Sequence, residues 1–399
     1  MRLARSWPHD FQEQLLRIAM TVADFSGAEA DELRRAVGMR RSWERMKNLE
    51  GRLRAGMTAK GIDTKTQDTI VQHISSFALY GFPESHAASF ALIAYASAYF
   101  KIKYLAAFTA AILNNQPMGF YSPAVLVKDA QRHGLRVKPI NVQISDWPCT
   151  VEHEADGTLS LRIGLGYAKS LTRQSAETLV ASRRQDGPFL SADDLTWRVP
   201  ALNRRELTRL AQIGAMNQLN GIEHRRDALW QVERAGKLEG PLFRQNSEAL
   251  HEDSEALPLQ KMGIEERLVA DYAGTGLTVG KHPMHYRRAE LRRNNILSAK
   301  ELRTRKDGEF VRAAGCVIAR QRPGTAKGFI FISMEDETGI ANVIVTPDLY
   351  ERDRLVVTRS KFLLVEGPLQ NQDNVIHVKA TRLSALSDRS LEVRSHDFH

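Results

Sequence analysis

Tyr80-Gly81-Phe82-Pro83-Glu84-Ser85-His86-Ala87-Ala88-Ser89-Phe90-Ala91-Leu92, with the apolar run that follows it to Phe108, is the stretch from which the rest of the chain is read. Gly81 and Pro83 favour a bend, and Ser85 then stands where a helix N-cap belongs, its hydroxyl able to accept from an otherwise unpartnered amide. Ala87, Ala88 and Ala91 leave one side of that helix almost bare, so another backbone or a substrate can approach closely. Lys101 and Lys103 interrupt the apolar run before it reaches the roughly 18 residues of a membrane span. Asp10, Glu13 and the lack of a small-residue cleavage pattern do not read as a signal peptide. A cytoplasmic protein without a membrane partner is the expectation.

Composition bounds the answer independently. A chain of 399 residues with 43% hydrophobic content can bury more than one core, so several domains are expected. Cys149 and Cys316 are far apart and have no nearby His pairs, which supports neither a disulfide framework nor a zinc site. His282 and His285 likewise lack acidic companions at ligand spacing. The net charge of +9 is segmented: residues 161–237 hold 13 Lys/Arg against 8 acids, 281–330 hold 13 against 4, and 238–275 hold 3 against 8. Two basic modules joined by an acidic connector suit a polyanion gripped at two places, because phosphate contacts supply the sequence-independent part of nucleic-acid affinity.

The Tyr80–Leu92 segment resembles the YGF-x-x-SHAA segment in the fingers of bacterial C-family DNA polymerases, in the form found in their error-prone, damage-associated branch. Five further blocks carry the resemblance in the same order: FQEQLLRIAM at 11–20, GAEADELRRA at 27–36, NNQPMGFYSPAVLVKDAQRHG at 114–134, HRRDALW at 224–230 and RQRPGTAKGFIFISMEDETGIANVIV at 320–345. In that family a PHP domain and a palm precede the fingers, and palm acids hold two Mg2+ ions for nucleotidyl transfer. Met1 falls at the palm-to-fingers junction. The resemblance implies the C-terminal part of such a polymerase, inactive by itself, serving damage-tolerant DNA synthesis. Its expected partners are duplex and single-stranded DNA, dNTP, a palm-containing polypeptide and accessory translesion proteins. No cofactor is expected in this chain, Mg2+ belonging to the intact enzyme. A stand-alone, non-catalytic DNA-binding protein is the alternative.

The implied fold is multidomain α+β: helical fingers over 1–125, a mixed connector over 126–160, a tandem helix-hairpin-helix module over 161–237, an acidic linker and bracing segment over 238–300, and a five-stranded OB-fold barrel over 301–390. In the fingers, Ser26-Gly27-Ala28-Glu29 starts a helix that carries Arg34 and Arg35. The resemblance assigns these two to the triphosphate, with Lys47, Arg52 and Arg54 behind them, and sets His86 near the nascent base pair. A solvated basic face and a bracing histidine are the competing readings.

Farther along, Ala124–His133 reads as a helix stopped by Gly134, and the runs flanking Asp156-Gly157 read as a hairpin. Helices over Thr172–Arg184 and Arg204–Ile213 match the order of the tandem helix-hairpin-helix region, whose hairpin amides and helix N-termini meet phosphate. Ser170 and Thr172 stand where the family usually places glycines, so Lys169, Ser170, Thr172 and Arg173 are expected to contribute side-chain contacts, with Gly214 at the end of the second unit. A mainly structural module is the alternative. Gly240-Pro241-Leu242-Phe243 resembles a sliding-clamp-binding peptide without its leading Gln, or docks on its own neighbour.

The last region is legible from pattern. Extended runs at Val311–Arg320, Gly328–Met334, Ile340–Thr346, Phe362–Leu369 and Val375–Leu383, with a helical segment Asp348–Arg354 after the third, suggest an OB-fold. Alternation sets Phe329, Phe331 and Ser333 against Ile330, Ile332 and Met334. Arg320, Arg322 and Lys327 flank this strand, so stacking of bases on Phe329 or Phe331 beside a basic groove is expected, with barrel packing of both rings as the alternative.

Overall fold

A computed structural model describes residues 12–38, 43–77, 84–119, 121–235, 259–324, 326–372, 375–386 and 396–398. The chain divides into two compact units, Met1–Lys103 and Tyr104–His399. The first holds α1 (Gln12–Ala23), α2 (Gly27–Gly38), α3 (Trp43–Ala59), α4 (Thr64–Phe77) and α5 (Glu84–Lys103). The start of α2 is set as its sequence suggests: Ser26 N donates to Glu29 Oε2 at 2.8 Å, and Glu29 N donates to Ser26 Oγ at 3.3 Å. Ala19, Phe25, Leu33, Leu53, Met57 and Ile74 form the core of this unit. Gly56 of α3 lies so close to the Ala23 backbone of α1 that any Cβ there would force the helices apart. In α5 the first helical residue is Glu84, so Ser85 is not the N-cap but sits inside the first turn, where its carbonyl accepts from Ser89 Oγ at 2.9 Å.

In the second unit, α6 (Leu105–Asn114) and α7 (Pro123–Arg132) precede a small sheet of β1 (Arg136–Lys138), β2 (Thr150–His153) and β3 (Leu159–Arg162), in order β1-β3-β2. Ser122 caps α7 and Pro123 occupies its first turn, where a missing N–H costs nothing. The expected hairpin is present, with Thr150 opposite Arg162 and Gly157 at φ 79° in the turn. Then come a 3-10 turn (Leu165–Tyr167), α8 (Arg173–Asp186), α9 (Ala192–Arg198), α10 (Arg204–Gln212), α11 (Arg225–Ala235), α12 (Ile264–Thr275), α13 (Pro283–Arg293) and α14 (Ala299–Leu302).

Seven strands follow, where five runs were expected: β4 (Phe310–Gln321), β5 (Ile330–Glu335), β6 (Ile340–Val345), β7 (Phe362–Gln372), β8 (Val375–Lys379), β9 (Arg382–Ala385) and β10 (His396–Phe398), with α15 (Pro347–Arg359) between β6 and β7. The run Val375–Leu383 divides because the chain crosses over β7: Thr381 N donates to Glu366 O at 2.8 Å, and Gly367 is bare where the Lys379 carbonyl passes. The sheet order is β10-β4-β5-β6-β8-β7-β9, and β4 also pairs with β7, which closes the sheet partly into a ring. β4 does this by length, pairing with β7 from Phe310 to Cys316 and with β5 from Cys316 to Gln321.

Val317, Ile332, Met334, Val343, Leu363, Val365 and Val378 pack inside the ring. Ala314, Cys316 and Phe362 join the helical core of the same unit instead. That seam also holds charges. Arg132 pairs with Glu335 at 2.8 Å, His282 Nε2 lies 3.7 Å from the same carboxylate, and Arg288 pairs with Asp336 at 3.0 Å.

Candidate nucleic-acid interface

The hairpin before α8 takes the shape a glycine would, although a serine occupies it. Ser170 has φ 75°, a left-handed conformation that a side chain adopts only at some cost. Thr172 caps α8, its hydroxyl accepting from Ser175 N at 3.2 Å, while its own amide donates to Glu206 Oε1 at 2.8 Å. Glu206 is fully buried and its other oxygen accepts from Ser175 Oγ at 3.2 Å and from Asn203 N at 2.9 Å. One carboxylate therefore ties the start of α8 to the start of α10. The two helix N-termini stand side by side with Arg173, Gln174, Arg204 and Arg205 exposed. Each helix N-terminus carries partial positive charge, a setting for an anionic oxygen.

Two expected contacts have structural partners here. Lys169 Nζ donates to the carbonyls of Tyr272 at 2.9 Å and Ala273 at 3.0 Å, so the ammonium caps the C-terminal end of α12. Gly214, at φ 76°, lies past the far end of α10 from the Asn203 cap. A Cβ there would stand 2.8 Å from Arg225 Nε. Arg173 remains at the hairpin, its guanidinium exposed and paired with Glu177 at 2.8 Å. Trp197, 78% exposed at the end of α9, borders the second hairpin, and no motif in the sequence marks it.

On the ring sheet, alternation separates core from surface as expected. Ile330, Ile332 and Met334 are buried, Phe331 is 39% exposed, and Phe329 and Ser333 are half-buried. Pairing then builds a row across four strands: Phe331 lies opposite Gln321 on β4 and Ile344 on β6, and Ile344 opposite Lys379 on β8. The next row is Ala319, Ser333, Asn342 and His377. His377, Lys379 and Asn342 belong to this face through long-range register alone.

Arg322 and Lys327 are exposed in the loop between β4 and β5, the Arg322 guanidinium 4.8 Å from the centre of the Tyr350 ring. Arg320 is not on that surface. It pairs with Ile332, shares its inward direction, is buried, and donates from Nε to the Val357 carbonyl at 2.6 Å and from Nη2 to the Ser360 carbonyl at the end of α15.

In the first unit, Arg34 and Arg35 fall on α2 just after the buried Leu33, with their side chains outside the described residues. Arg52 pairs with Glu29, and Arg54 with Glu50 at 3.0 Å and Asp68 at 2.7 Å, as on a solvated helix face. His86 is exposed on α5 with its ring 4.4 Å from that of Phe90, edge-on. Tyr80, Phe82 and the 240–243 peptide lie outside the described residues.

The buried seam has its own electrostatics. Burial pushes the Glu335 carboxyl up to about 7 against the pull of Arg132, and burial beside Lys128, Arg132 and Arg288 pushes His282 down to about 3. His282 caps α13 by accepting from Met284 N at 3.2 Å. Among the described residues, no three His, Cys, Asp or Glu side chains converge as metal ligands do.

Comparison with known proteins agrees with this layout. The helix-hairpin-helix motif matches residues 134–228, and the finger domain of the bacterial DNA polymerase III alpha subunit matches residues 9–61. The error-prone DNA polymerase of Alkalilimnicola ehrlichii is 43% identical over 395 residues, covering 98% of this chain. Nearly the whole chain is thus similar to a part of the bacterial error-prone DNA polymerases. The error-prone DNA polymerase of an Azoarcus species is 44% identical over 397 residues, and error-prone DNA polymerase 2 of Rhizobium meliloti 40% over 383. The chain spans 37%, 36% and 35% of the length of these three polymerases. Among the described residues, no helix is long and apolar enough to cross a membrane.

Proposed function

We propose that this chain supplies the DNA- and nucleotide-handling surfaces of an error-prone polymerase in damage-tolerant synthesis, with the ring sheet acting as an OB-fold that holds a single strand. The observation that carries the reading is the Gln321-Phe331-Ile344-Lys379 row. It puts an exposed ring, an apolar neighbour and a cation on one face beside Arg322 and Lys327. An unstacked base can lie on such a ring while the cations meet its phosphates, whereas a paired base cannot leave its stack to do so.

The paired N-termini of α8 and α10 favour duplex backbone, with Ser170, Thr172, Arg173 and Arg205 at the contact. Lys169 acts indirectly, by fixing the hairpin on α12, and Arg320 acts by fixing α15. The finger match over residues 9–61 supports Arg34 and Arg35 as dNTP contacts, and the resemblance of the Tyr80–Leu92 segment extends the reading to His86. Mg2+ is needed by the chemistry of nucleotidyl transfer and is assigned to the palm of the intact polymerase.

Anisotropy titrations of labelled single-stranded and duplex oligonucleotides at several salt concentrations test the division. Arg322→Ala with Lys327→Ala and Phe331→Ala should weaken single-strand binding and flatten its salt dependence, and Arg173→Ala with Arg205→Ala should act mainly on duplex. Identical losses on both substrates from both sets would overturn the separate roles.

A further inference from the structure

We infer that β10 is a fifth column of the single-strand face, with Phe398 as a second base-stacking residue beside Phe331 and His396 next to it; this extends the single-strand reading above and rests on it. β10 runs parallel to β4, with His396 level with Ala319, Asp397 with Arg320 and Phe398 with Gln321. Residues level with one another on neighbouring strands share a face of the sheet. The row that carries Phe331 therefore reads Phe398, Gln321, Phe331, Ile344, Lys379. His396 heads the row of Ala319, Ser333, Asn342 and His377 in the same way. Phe331 thus has an aromatic residue two strands away on one side and a cation two strands away on the other. Two strand spacings are about 10 Å, well within the span of the roughly 4 to 16 nucleotides that one OB-fold engages.

The register separates this role from that of a strand that only seals an edge. Cys316 pairs with β5 on one flank of β4 and with β7 on the other, and the pairing with β7 goes no further along β4. β10 takes up the β7 flank at Ala319–Gln321, where the backbone of β4 would otherwise present an open edge. A strand serving only that purpose would set its apolar residue level with a buried position and its charge level with an exposed one. β10 does the reverse. Its acid is level with Arg320, which the ring buries, and its two ring-bearing residues are level with half-buried Ala319 and exposed Gln321. Opposite charges at level positions favour this register over its neighbours, and a slip of one residue would exchange the acid for a ring.

The probe is a labelled single strand carrying one 5-iodouracil at successive positions, mixed with the full chain and irradiated. Crosslinks should form in the peptide that contains Phe398 as well as in the one that contains Phe331. In anisotropy titrations Phe398→Ala should lower single-strand affinity by about tenfold, the effect of one lost stack, while Phe398→Tyr stays within about twofold of the parent and duplex affinity is unchanged. Crosslinking uses the parent chain, so it decides the matter even where a variant shifts the urea midpoint. Crosslinks confined to the Phe331 peptide, or a loss in Phe331→Ala with none in Phe398→Ala, would overturn this inference and leave the single-strand reading standing. Tighter binding by Phe398→Ala would make β10 a cover over the face and would overturn it too. Full affinity in both variants, with no crosslink at either ring, would remove the single-strand reading and this inference together.

Discussion

The ring sheet and α5 are both rich in apolar residues, and they differ in how those residues are spaced. Along β5 the period of two sends Ile330, Ile332 and Met334 inward and leaves Phe331 outward, so one strand completes a core and offers a face. Around α5 the apolar residues occupy several sides and none is buried. Spacing, more than apolar content, decides whether an element is satisfied within its own chain. The sheet buries its inward apolar row within its own unit, and α5 buries none of its residues.

The contrast breaks most visibly if the same kind of substitution is made in both places. Val343 is 1% exposed inside the ring. Val343→Asp should cost about 4 kcal/mol or abolish cooperative unfolding of the second unit, because the carboxylate has no water and no partner there. Leu92→Glu should change the stability of the chain by less than about 0.5 kcal/mol. Urea titrations followed by circular dichroism check both, and equal losses would erase the distinction.

The seam beneath the sheet is sharpened by pH. Glu335 rises from 4.5 to about 7 on folding, so the folded chain holds that proton more tightly and this contribution to stability falls as pH rises across that window. His282 drops from 6.5 to about 3, so its contribution rises with pH from about 3 to 6.5. The two oppose each other where they overlap. Glu335→Gln removes the falling part, and the stability of that variant relative to the parent should climb by about 2 kcal/mol between pH 4.5 and 6.5. Denaturant melts at a series of pH values measure it, and a constant offset would remove Glu335 from the balance.

A smaller effect probes the outer face of the sheet. Phe331→Ala with Lys379→Ala should lower single-strand affinity by about 10- to 30-fold, roughly one stacked base and one phosphate contact, with little change in the urea midpoint. A large loss of stability without loss of binding would turn Phe331 into a core residue and the row into packing. Smallest is the hairpin, where Ser170→Gly relieves a left-handed serine and should add about 0.5 kcal/mol of stability, with duplex binding equal or a few-fold tighter. A destabilised variant would mean that the serine side chain holds the turn.

Local chemistry made much of the fold readable. Ser26 with Glu29 and the alternation from Ile330 to Met334 each act within a few residues, so each appears in the structure where the pattern puts it. Candidate contacts were less readable. Arg320 follows a run of β-formers and looks like part of a basic rim, yet the alternation that buries Ile332 buries it too. Lys169 sits in a hairpin and looks like a phosphate ligand, but α12, about a hundred residues later, brings carbonyls to its ammonium.

The sequence by itself determined the likeness to error-prone DNA polymerases, the order of the helical and extended elements, and the starts of several helices, because motifs, caps, turns and period are set by neighbours in the chain. Tertiary structure alone decided that Glu206 joins two helix starts, that Lys379 and His377 share a face with Phe331, and that no residue of α5 is buried. Those are facts of register and of what packs on what, and they depend on residues far apart in sequence meeting in space.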